Sequence, residues 1–400
     1  MSRYEEVIDE VLKTLDNETI LKGLRRSVKN ISPKPFEIIS KWSYIIEFTD
    51  YLRRVKEEVF KNIEYYIDKT LKSVEEVAGY GYYAKKYSEI YDIINRIIGD
   101  ESKIIVKSKS MVTEEIKLRE HLVEKGHLVY ETDLGELLIQ ISGEKPMHTT
   151  APAIHMTRER AIELLRKMGI DLKEDAEIKD IVYNVRLFLR EIFIKADIGI
   201  TGANAVSADT GSVFLISNEG NIRNTSNLPP IHIAVTGVEK ILPTMKDAFI
   251  QVLVQAAYAG LYPPTYISVI SGPSSTADIE LRRIYGVHGP REYHLILYDG
   301  GRLDALRDHI LSEQLYCIKC GRCQIECPIW DLVGNIWGGS VYGGPMGIGW
   351  TAITEDHDKS GILSLLCLNC GRCREVCPMN IDLPKIVSYL KRKYIRKILS

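Results

Sequence analysis

The sequence predicts an α/β domain with a largely parallel sheet, preceded by helices and followed by a helical module that carries two cysteine motifs. Residues 1–74 place apolar side chains at helical spacing. Between residues 75 and 301, short β-branched runs alternate with helical stretches, as expected of a parallel sheet covered by helices. Residues 302–400 contain all eight cysteines. We therefore expect three regions, 1–74, 75–301 and 302–400.

Six apolar runs in the central region predict strands. They are IIVK (104–107), HLVYET (127–132), LLIQIS (137–142), SVFLIS (212–217), HIAVTG (232–237) and HLILYD (294–299). Helices are predicted over residues 157–168, 180–194 and 243–258. Ligands of such sheets usually bind beyond the carboxyl ends of the strands.

One long stretch without a formal charge lies between Asp247 and Asp278. Because Gly260, Pro263 and Pro264 interrupt it, it contains no clean run of about twenty apolar residues. The stretch therefore predicts a buried helix followed by a buried strand over residues 265–271, and no transmembrane span.

Two stretches, CIKCGRCQIECP (317–328) and CLNCGRCREVCP (367–378), share the spacing C-x2-C-x2-C-x3-C-P. Bacterial-type ferredoxins hold 4Fe-4S clusters with this run, in which the fourth cysteine binds the neighbouring cluster. The predicted ligands are Cys317, Cys320, Cys323 and Cys377 for cluster 1, and Cys367, Cys370, Cys373 and Cys327 for cluster 2. Structural zinc is the alternative, but it usually gathers its ligands as two separated pairs. Disulfides belong mainly to short secreted chains.

A glycine-rich connector, residues 333–350, joins the two motifs after a helix predicted over residues 303–315. It favours an irregular loop around the clusters, where glycine lets backbone N–H groups approach sulfur. The alternative is a docking surface for a redox partner, with Trp337, Tyr342 and Trp350 as anchors.

Charge is nearly balanced, with 52 basic and 54 acidic residues, so no nucleic-acid partner is expected. The start, MSRYEEVIDEVLKTL, is acidic and amphipathic, unlike a secretory signal. Together with thiolates that must stay reduced, this predicts a cytoplasmic protein. The basic helix in residues 382–400 predicts a solvated face, with contact to a partner or a membrane surface as the alternative.

An ordered series of motifs resembles the LUD domain, among them KSKSMVTEE (107–115), ETDLGELLIQ (131–140), HTTAPAIH (148–155) and ADIGITGANAVSADTGS (196–212). With the cysteine half, the chain resembles the lactate-utilisation protein B family. The resemblance implies a ribose-phosphate isomerase/CoA-transferase-like α/β fold joined to a helical ferredoxin module. It also implies membership of a three-part iron–sulfur complex that oxidises L-lactate to pyruvate.

Two groups of polar residues are candidates for binding an anion such as a carboxylate or phosphate. One group follows an apolar run and the other precedes a helix predicted from Ala277, where capping of that helix explains the hydroxyls equally well. The candidates are Lys107, Lys109, Ser274, Ser275 and Thr276.

Catalytic roles are unassigned, with four candidates. Three are histidines in family-like motifs, although a lone histidine is most often structural. The fourth is a glutamate, because the related CoA-transferases place a nucleophilic glutamate in a comparable turn. The candidates are His148, His155, Glu219 and His288.

Oxidation of a 2-hydroxy acid releases two electrons, whereas an iron–sulfur cluster accepts electrons singly. Because no flavin or nicotinamide fingerprint is visible, another group must divide the pair. We therefore expect an iron–sulfur electron-transfer subunit of a lactate-oxidising complex, with other iron–sulfur subunits as partners. The alternatives are a catalytic 2-hydroxy acid oxidoreductase subunit, an electron carrier for a different dehydrogenase, and a redox-responsive regulator.

Overall fold

The computed structural model describes residues 3–148 and 151–400. Five helices form the amino-terminal region, as predicted: α1 (Arg3–Leu15), α2 (Glu18–Ile31), α3 (Lys34–Lys41), α4 (Tyr44–Lys61) and α5 (Ile63–Glu76). Their apolar stripe faces inward because residues such as Val59, Ile63 and Ile67 recur at helical spacing and are buried.

The central region alternates strands and helices. The strands are β1 (Tyr80–Ala84), β2 (Ile104–Lys107), β3 (Leu128–Glu131), β4 (Ile198–Thr201), β5 (Ala205–Ser207), β6 (Val213–Ser217), β7 (Ile231–Gly237), β8 (Ile241–Leu242), β9 (Tyr266–Ile270), β10 (Ser275–Thr276), β11 (Ile284–Tyr285) and β12 (Glu292–Tyr298). The helices are α6 (Tyr87–Ile98), α7 (Met111–Glu115), α8 (Leu118–Glu124), α9 (Leu134–Ser142), α10 (Arg158–Lys167), α11 (Ile178–Lys195), α12 (Asn221–Asn227) and α13 (Met245–Tyr258).

A six-stranded parallel sheet in the order β1-β12-β7-β4-β2-β3 forms the centre of this domain. Strands β4, β7 and β12 are buried almost throughout, because helices cover both faces of a parallel sheet. Helix α12 packs so closely on β4 that a Cβ at Gly199 would lie 1.8 Å from the Thr225 carbonyl oxygen. The predicted α/β class with a mostly parallel sheet is confirmed.

A second, four-stranded sheet in the order β8-β5-β6-β9 packs against α13. Helix α13 begins with a capping box: the Thr244 hydroxyl accepts from the Asp247 amide at 3.3 Å, and the Asp247 carboxylate accepts from the Thr244 amide at 3.1 Å. These two bonds satisfy amides that helix formation would otherwise leave without acceptors.

Replacing Thr244 with alanine is expected to lower the free energy of unfolding by about 1 kcal/mol, because the Asp247 amide loses its acceptor. Urea-induced unfolding of anaerobically purified protein would measure the change. Thr244→Ser is the matched control, since serine keeps the hydroxyl, and we expect it to unfold near the wild-type midpoint. Equal losses in both variants would show that the cap does not stabilise α13.

Two sequence predictions in this domain are wrong. The run LLIQIS belongs to helix α9, because Asp133 caps the helix by accepting from the Glu136 amide at 3.1 Å. Gln140 of that helix donates to the Val129 carbonyl oxygen at 2.8 Å and so covers the edge strand β3. No helix begins at Ala277, because the chain there forms the β10–β11 hairpin and its turn places Glu280 and Leu281 at positive φ.

The predicted strand over residues 265–271 is present as β9, but it is not buried. Tyr266 and Val269 are exposed because β9 is the edge of the second sheet, with a neighbour on one side only. Among the described residues, no helix is both long enough and apolar enough to cross a lipid bilayer.

The carboxyl-terminal module consists of α14 (Arg302–Arg307), α15 (Arg322–Ile325), α16 (Trp330–Val333), α17 (Gly344–Thr354), α18 (His357–Ser364), α19 (Arg372–Glu375) and α20 (Leu383–Leu399). The helix predicted over residues 303–315 is broken after α14. Asp308 accepts from the amides of Ile310 and Leu311, and a 3-10 turn follows over Leu311–Tyr316.

The connector between the cysteine motifs lies inside the module. Trp337, Tyr342 and Trp350 are at most 1% exposed, so the alternative of a docking surface with these anchors is wrong. The expectation of an irregular loop is also wrong for residues 344–350, which belong to helix α17. The physical reason is that these rings fill the centre of the module, where the Trp337 indole donates to the Leu363 carbonyl oxygen at 2.8 Å.

One hydrophobic core joins this module to the amino-terminal helices and to α13. It includes Val11 and Leu24 from the first two helices, Val252 from α13, and Trp330 from the module. The division into 1–74, 75–301 and 302–400 stays a prediction.

Candidate functional site

Two small cavities in the carboxyl-terminal module are each lined by four cysteines, all of which are free thiols. The first set is Cys317, Cys320, Cys323 and Cys377, and the second is Cys327, Cys367, Cys370 and Cys373. Helices α15 and α19 contact each other and bring the two motifs together. Each set thus takes three thiols from one motif and the fourth from the other, the grouping that the spacing predicts.

The loops before α15 and α19 share an unusual backbone. Lys319 and Asn369 have φ of +59° and +55°, and Gly321 and Gly371 follow with φ of +76° and +83°. This conformation points amides at sulfur: the Lys319 amide lies 3.4 Å from the Cys317 sulfur, and the Asn369 amide lies 3.4 Å from the Cys367 sulfur. N–H···S hydrogen bonds of this kind surround iron–sulfur clusters, so the residues fit two 4Fe-4S groups.

Burial disfavours the thiolate form of Cys320 and of Cys327 and raises the pKa of each thiol to about 12. Iron binds the thiolate, so loading a cluster has to displace protons from these side chains. In this buried site, the positive charge of the iron ions would therefore take the place of the thiol protons.

The two cysteine sets differ in depth. Around the first set, Arg322 donates to the Ser32 carbonyl oxygen at 2.6 Å, so the amino-terminal helices cover this loop. In the second set, Cys370 is exposed and the neighbouring Leu368 is 65% exposed. Cluster 1 would therefore lie inside the molecule and cluster 2 near its surface.

A cavity of about 280 Å³ lies between the α/β domain and the first cysteine loop. Its wall contains the segments that follow β2 and β4, which are residues 108–112 and 202–204. Lys240 follows β7, and Lys319 comes from the first cysteine motif. The cavity therefore lies beyond the carboxyl ends of the strands, as such sheets predict, and Lys319 places it next to the first cysteine loop.

Glu239 is the centre of a network of buried ion pairs next to this cavity. Its carboxylate binds Arg302 and Lys319, and Arg302 continues to Glu115 at 2.7 Å. The ammonium of Lys56 donates to the Glu239 carbonyl oxygen at 2.7 Å. Although burial alone would raise the pKa of Glu239, the paired cations hold it well below its ordinary value. The carboxylate therefore stays charged and fixes the cysteine loop to the α/β domain.

Lys240 follows Glu239 in sequence but makes none of the hydrogen bonds or ion pairs of this network. Its side chain is 4% exposed, and its residue lines the cavity. Burial, together with the nearby charge of Lys319, lowers the pKa of Lys240 to about 7.

The structure separates the anion-binding candidates. Lys107 is buried and its ammonium is bound by Glu114 at 2.7 Å and Glu131 at 2.8 Å. Lys109 lines the cavity, with its ammonium 2.9 Å from Glu136. The three candidates in the SGPSST segment, Ser274, Ser275 and Thr276, lie on the partly exposed β10–β11 hairpin and not in the described cavity wall.

Of the four catalytic candidates, Glu219 is the one that lines the cavity. Burial and the neighbouring Asp133 carboxylate raise the pKa of Glu219 to about 7. His148 packs against Trp330, and burial lowers its pKa to about 3. His155 lies 2.9 Å from Glu144, and His288 is exposed on a loop. The structure does not bring these three histidines together with Glu219 in the cavity wall.

Sequence reasoning missed Glu239, Lys240 and Lys319. A signal was present, because the VEK segment follows the predicted strand 232–237 and Lys319 stands inside the cysteine motif. Their convergence depends on packing between segments about 80 residues apart.

Two known protein families match this chain, one in the α/β domain and one in the cysteine module. The LUD domain family matches residues 67–298, more than half of the chain, and a 4Fe-4S dicluster domain matches residues 313–381. The chain belongs to the LUD-domain family. The resemblance noted from the sequence motifs is thereby confirmed, and the cavity described above lies between the LUD domain and the dicluster domain.

Two similar proteins each match more than four fifths of this chain. Lactate utilization protein B of Bacillus subtilis (strain 168) is 34% identical over 343 residues, which are 85% of this chain and 69% of that protein. The uncharacterized electron transport protein YkgF of Escherichia coli (strain K12) is 32% identical, over 84% of this chain and 69% of the relative. A crystal structure of a DUF162 family protein from Deinococcus radiodurans matches 60% of this chain and 98% of its own, at 14% identity and a TM-score of 0.29.

Proposed function

We propose that this LUD-domain protein is an iron–sulfur electron-transfer subunit of a complex that oxidises L-lactate to pyruvate. One observation carries the proposal: two sets of four cysteine thiols line adjacent cavities in one module. The names of the relatives, lactate utilization protein B and electron transport protein, support the lactate pathway and the electron-carrying role.

The depth of the two cysteine sets supports a direction for electron flow. Cluster 1 would receive electrons beside the LUD-domain cavity, through the loop that carries Lys319. Cluster 2 would pass them on at the surface around Cys370. Lactate oxidation releases two electrons, and each cluster takes one, so a two-cluster carrier can accept both from a partner that divides the pair.

The basic carboxyl-terminal helix offers a second contact. Helix α20 packs on the module through Ile386 and Leu390, whereas Ile398 and Leu399 at its end are exposed. We propose that this end, with its lysines and arginines, contacts a partner subunit, and a membrane surface is the alternative occupant.

The metal content of the protein tests the cofactor assignment. Anaerobically purified protein is expected to contain about eight irons and no zinc per chain, because each crossed set of four thiolates holds four irons. Elemental analysis with ultraviolet–visible and electron paramagnetic resonance (EPR) spectra would measure this. Stoichiometric zinc in a colourless, folded protein would contradict it.

Recovery of the protein with its native partners tests the substrate. L-lactate added to the recovered assembly should reduce the clusters, and no reduction would overturn the lactate proposal. The cavity beside cluster 1 favours one further candidate, in which this chain itself is the catalytic 2-hydroxy acid oxidoreductase subunit. In that case lactate would reduce the isolated protein as well. Reduction by glycolate instead of lactate would indicate a carrier for a different dehydrogenase.

A further inference from the structure

Lys240 presents its amino group to the cavity between the LUD domain and the first cysteine loop. Among the residues that the structure describes, its ammonium has no hydrogen-bond or salt-bridge partner. The other buried lysines nearby are all bound: Lys56 donates to a carbonyl oxygen, Lys107 binds two carboxylates, and Lys319 binds Glu239. The position therefore fits an anion, because a counter-charge would stabilise the ammonium form that burial alone disfavours.

The rest of the wall indicates what kind of anion fits. The Ser108 hydroxyl is buried in the wall without a hydrogen-bond partner among the described residues, so a second polar group is free to bind a ligand. Met111, Leu215 and Ile222 add apolar surface. A volume of about 280 Å³ with mixed lining exceeds what a simple inorganic ion fills and suits a small organic molecule.

We propose that this cavity binds a small organic carboxylate, with the carboxylate group paired to Lys240 and the rest of the ligand against Met111, Leu215 and Ile222. The site goes beyond electron transfer through the clusters, and it rests on the proposed function only in the choice of lactate and pyruvate as probes. The ligand lies next to the first cysteine loop, because Lys319 belongs both to that loop and to the cavity wall.

A competing role for Lys240 is to offset the negative charge of cluster 1. One observation favours the ligand. Lys240 lines the large cavity and not the cavity of the first cysteine set. A binding experiment distinguishes the two roles.

Isothermal titration calorimetry of the full chain, prepared anaerobically with its iron content measured, tests the proposal. Sodium L-lactate, pyruvate and inorganic phosphate are the three probes. We expect saturable binding of at least one carboxylate, and we expect Lys240→Gln to weaken it about ten- to hundredfold, the loss typical of one charge-assisted hydrogen bond. Lys246→Gln is the matched control, because that lysine is exposed on α13 and outside the cavity wall.

A second variant keeps the test decisive if Lys240→Gln loses iron. Ala259 lines the cavity directly after α13, so Ala259→Leu fills part of the volume without changing any charge and should also weaken binding. A bound carboxylate should in addition alter the EPR spectrum of reduced cluster 1.

Three results would overturn the proposal. They are binding of phosphate alone, no binding of either carboxylate, and carboxylate affinity that neither variant changes. If Lys240→Gln shifts the cluster spectrum while the wild-type protein binds no carboxylate, Lys240 serves the cluster instead. Carboxylate binding without lactate-driven reduction of the recovered assembly would leave this site standing while the lactate function fails.

Discussion

Replacing Cys327 with serine is expected to remove cluster 2 and spare cluster 1, so that iron falls from about eight to about four per chain. Cys327 belongs to the first motif in sequence, but its thiol lines the cavity of the second set with Cys367, Cys370 and Cys373. Iron analysis and EPR spectroscopy of the reduced protein would measure the loss. Because electrons would leave through cluster 2, the recovered assembly should also lose nearly all transfer to an external acceptor.

The reciprocal variant is the matched control. Cys377→Ser changes the fourth cysteine of the second motif, which lines the cavity of the first set, and should remove cluster 1 instead. If Cys327→Ser removes the cluster held by its own motif, the crossed assignment is wrong. Loss of both clusters from both variants would show instead that neither cluster assembles alone, and the spectrum of partly reconstituted protein would then decide the ligand sets.

Replacing Glu239 with glutamine is expected to lower the free energy of unfolding by about 3–5 kcal/mol. Glutamine keeps the shape but removes the charge that binds Arg302 and Lys319, both of which are almost fully buried. Two cations would then remain in the interior with less compensation, and the pairing that joins the cysteine loop to the LUD domain would weaken. Urea-induced unfolding under anaerobic conditions, on protein with full iron content, would measure the difference.

Glu163→Gln provides a control of the same chemistry at the surface. Glu163 pairs with Arg160 and Lys167 at 2.8 Å, but all three side chains are exposed, so we expect a much smaller loss than in Glu239→Gln. Similar losses in the two variants would mean that water penetrates the Glu239 network, and the network would then not stabilise the junction.

Much of the fold could be predicted because its signals are local. The strands IIVK and HIAVTG read as continuous apolar runs, and both lie in the buried parallel sheet. The run LLIQIS misled because a short apolar run fits a strand and a helix equally well. Asp133, a few residues upstream, favours the helix because its side chain caps it by accepting from the Glu136 amide. Trp337 and Trp350 could not be assigned either, because an aromatic residue in a glycine-rich segment suits a surface anchor or a core.

By itself, the sequence determined the cysteine pattern, the class of cofactor that the pattern indicates and several strands of the parallel sheet, because spacing along the chain governs each of these. Tertiary structure alone decided where the charges meet. Glu239 and Lys319 are about 80 residues apart, and neither has a local partner that reveals the pairing. Burial removes water from these groups, so each of these charges is stabilised by a counterpart across the junction, whereas Lys240 has no such partner among the described residues and lines the cavity.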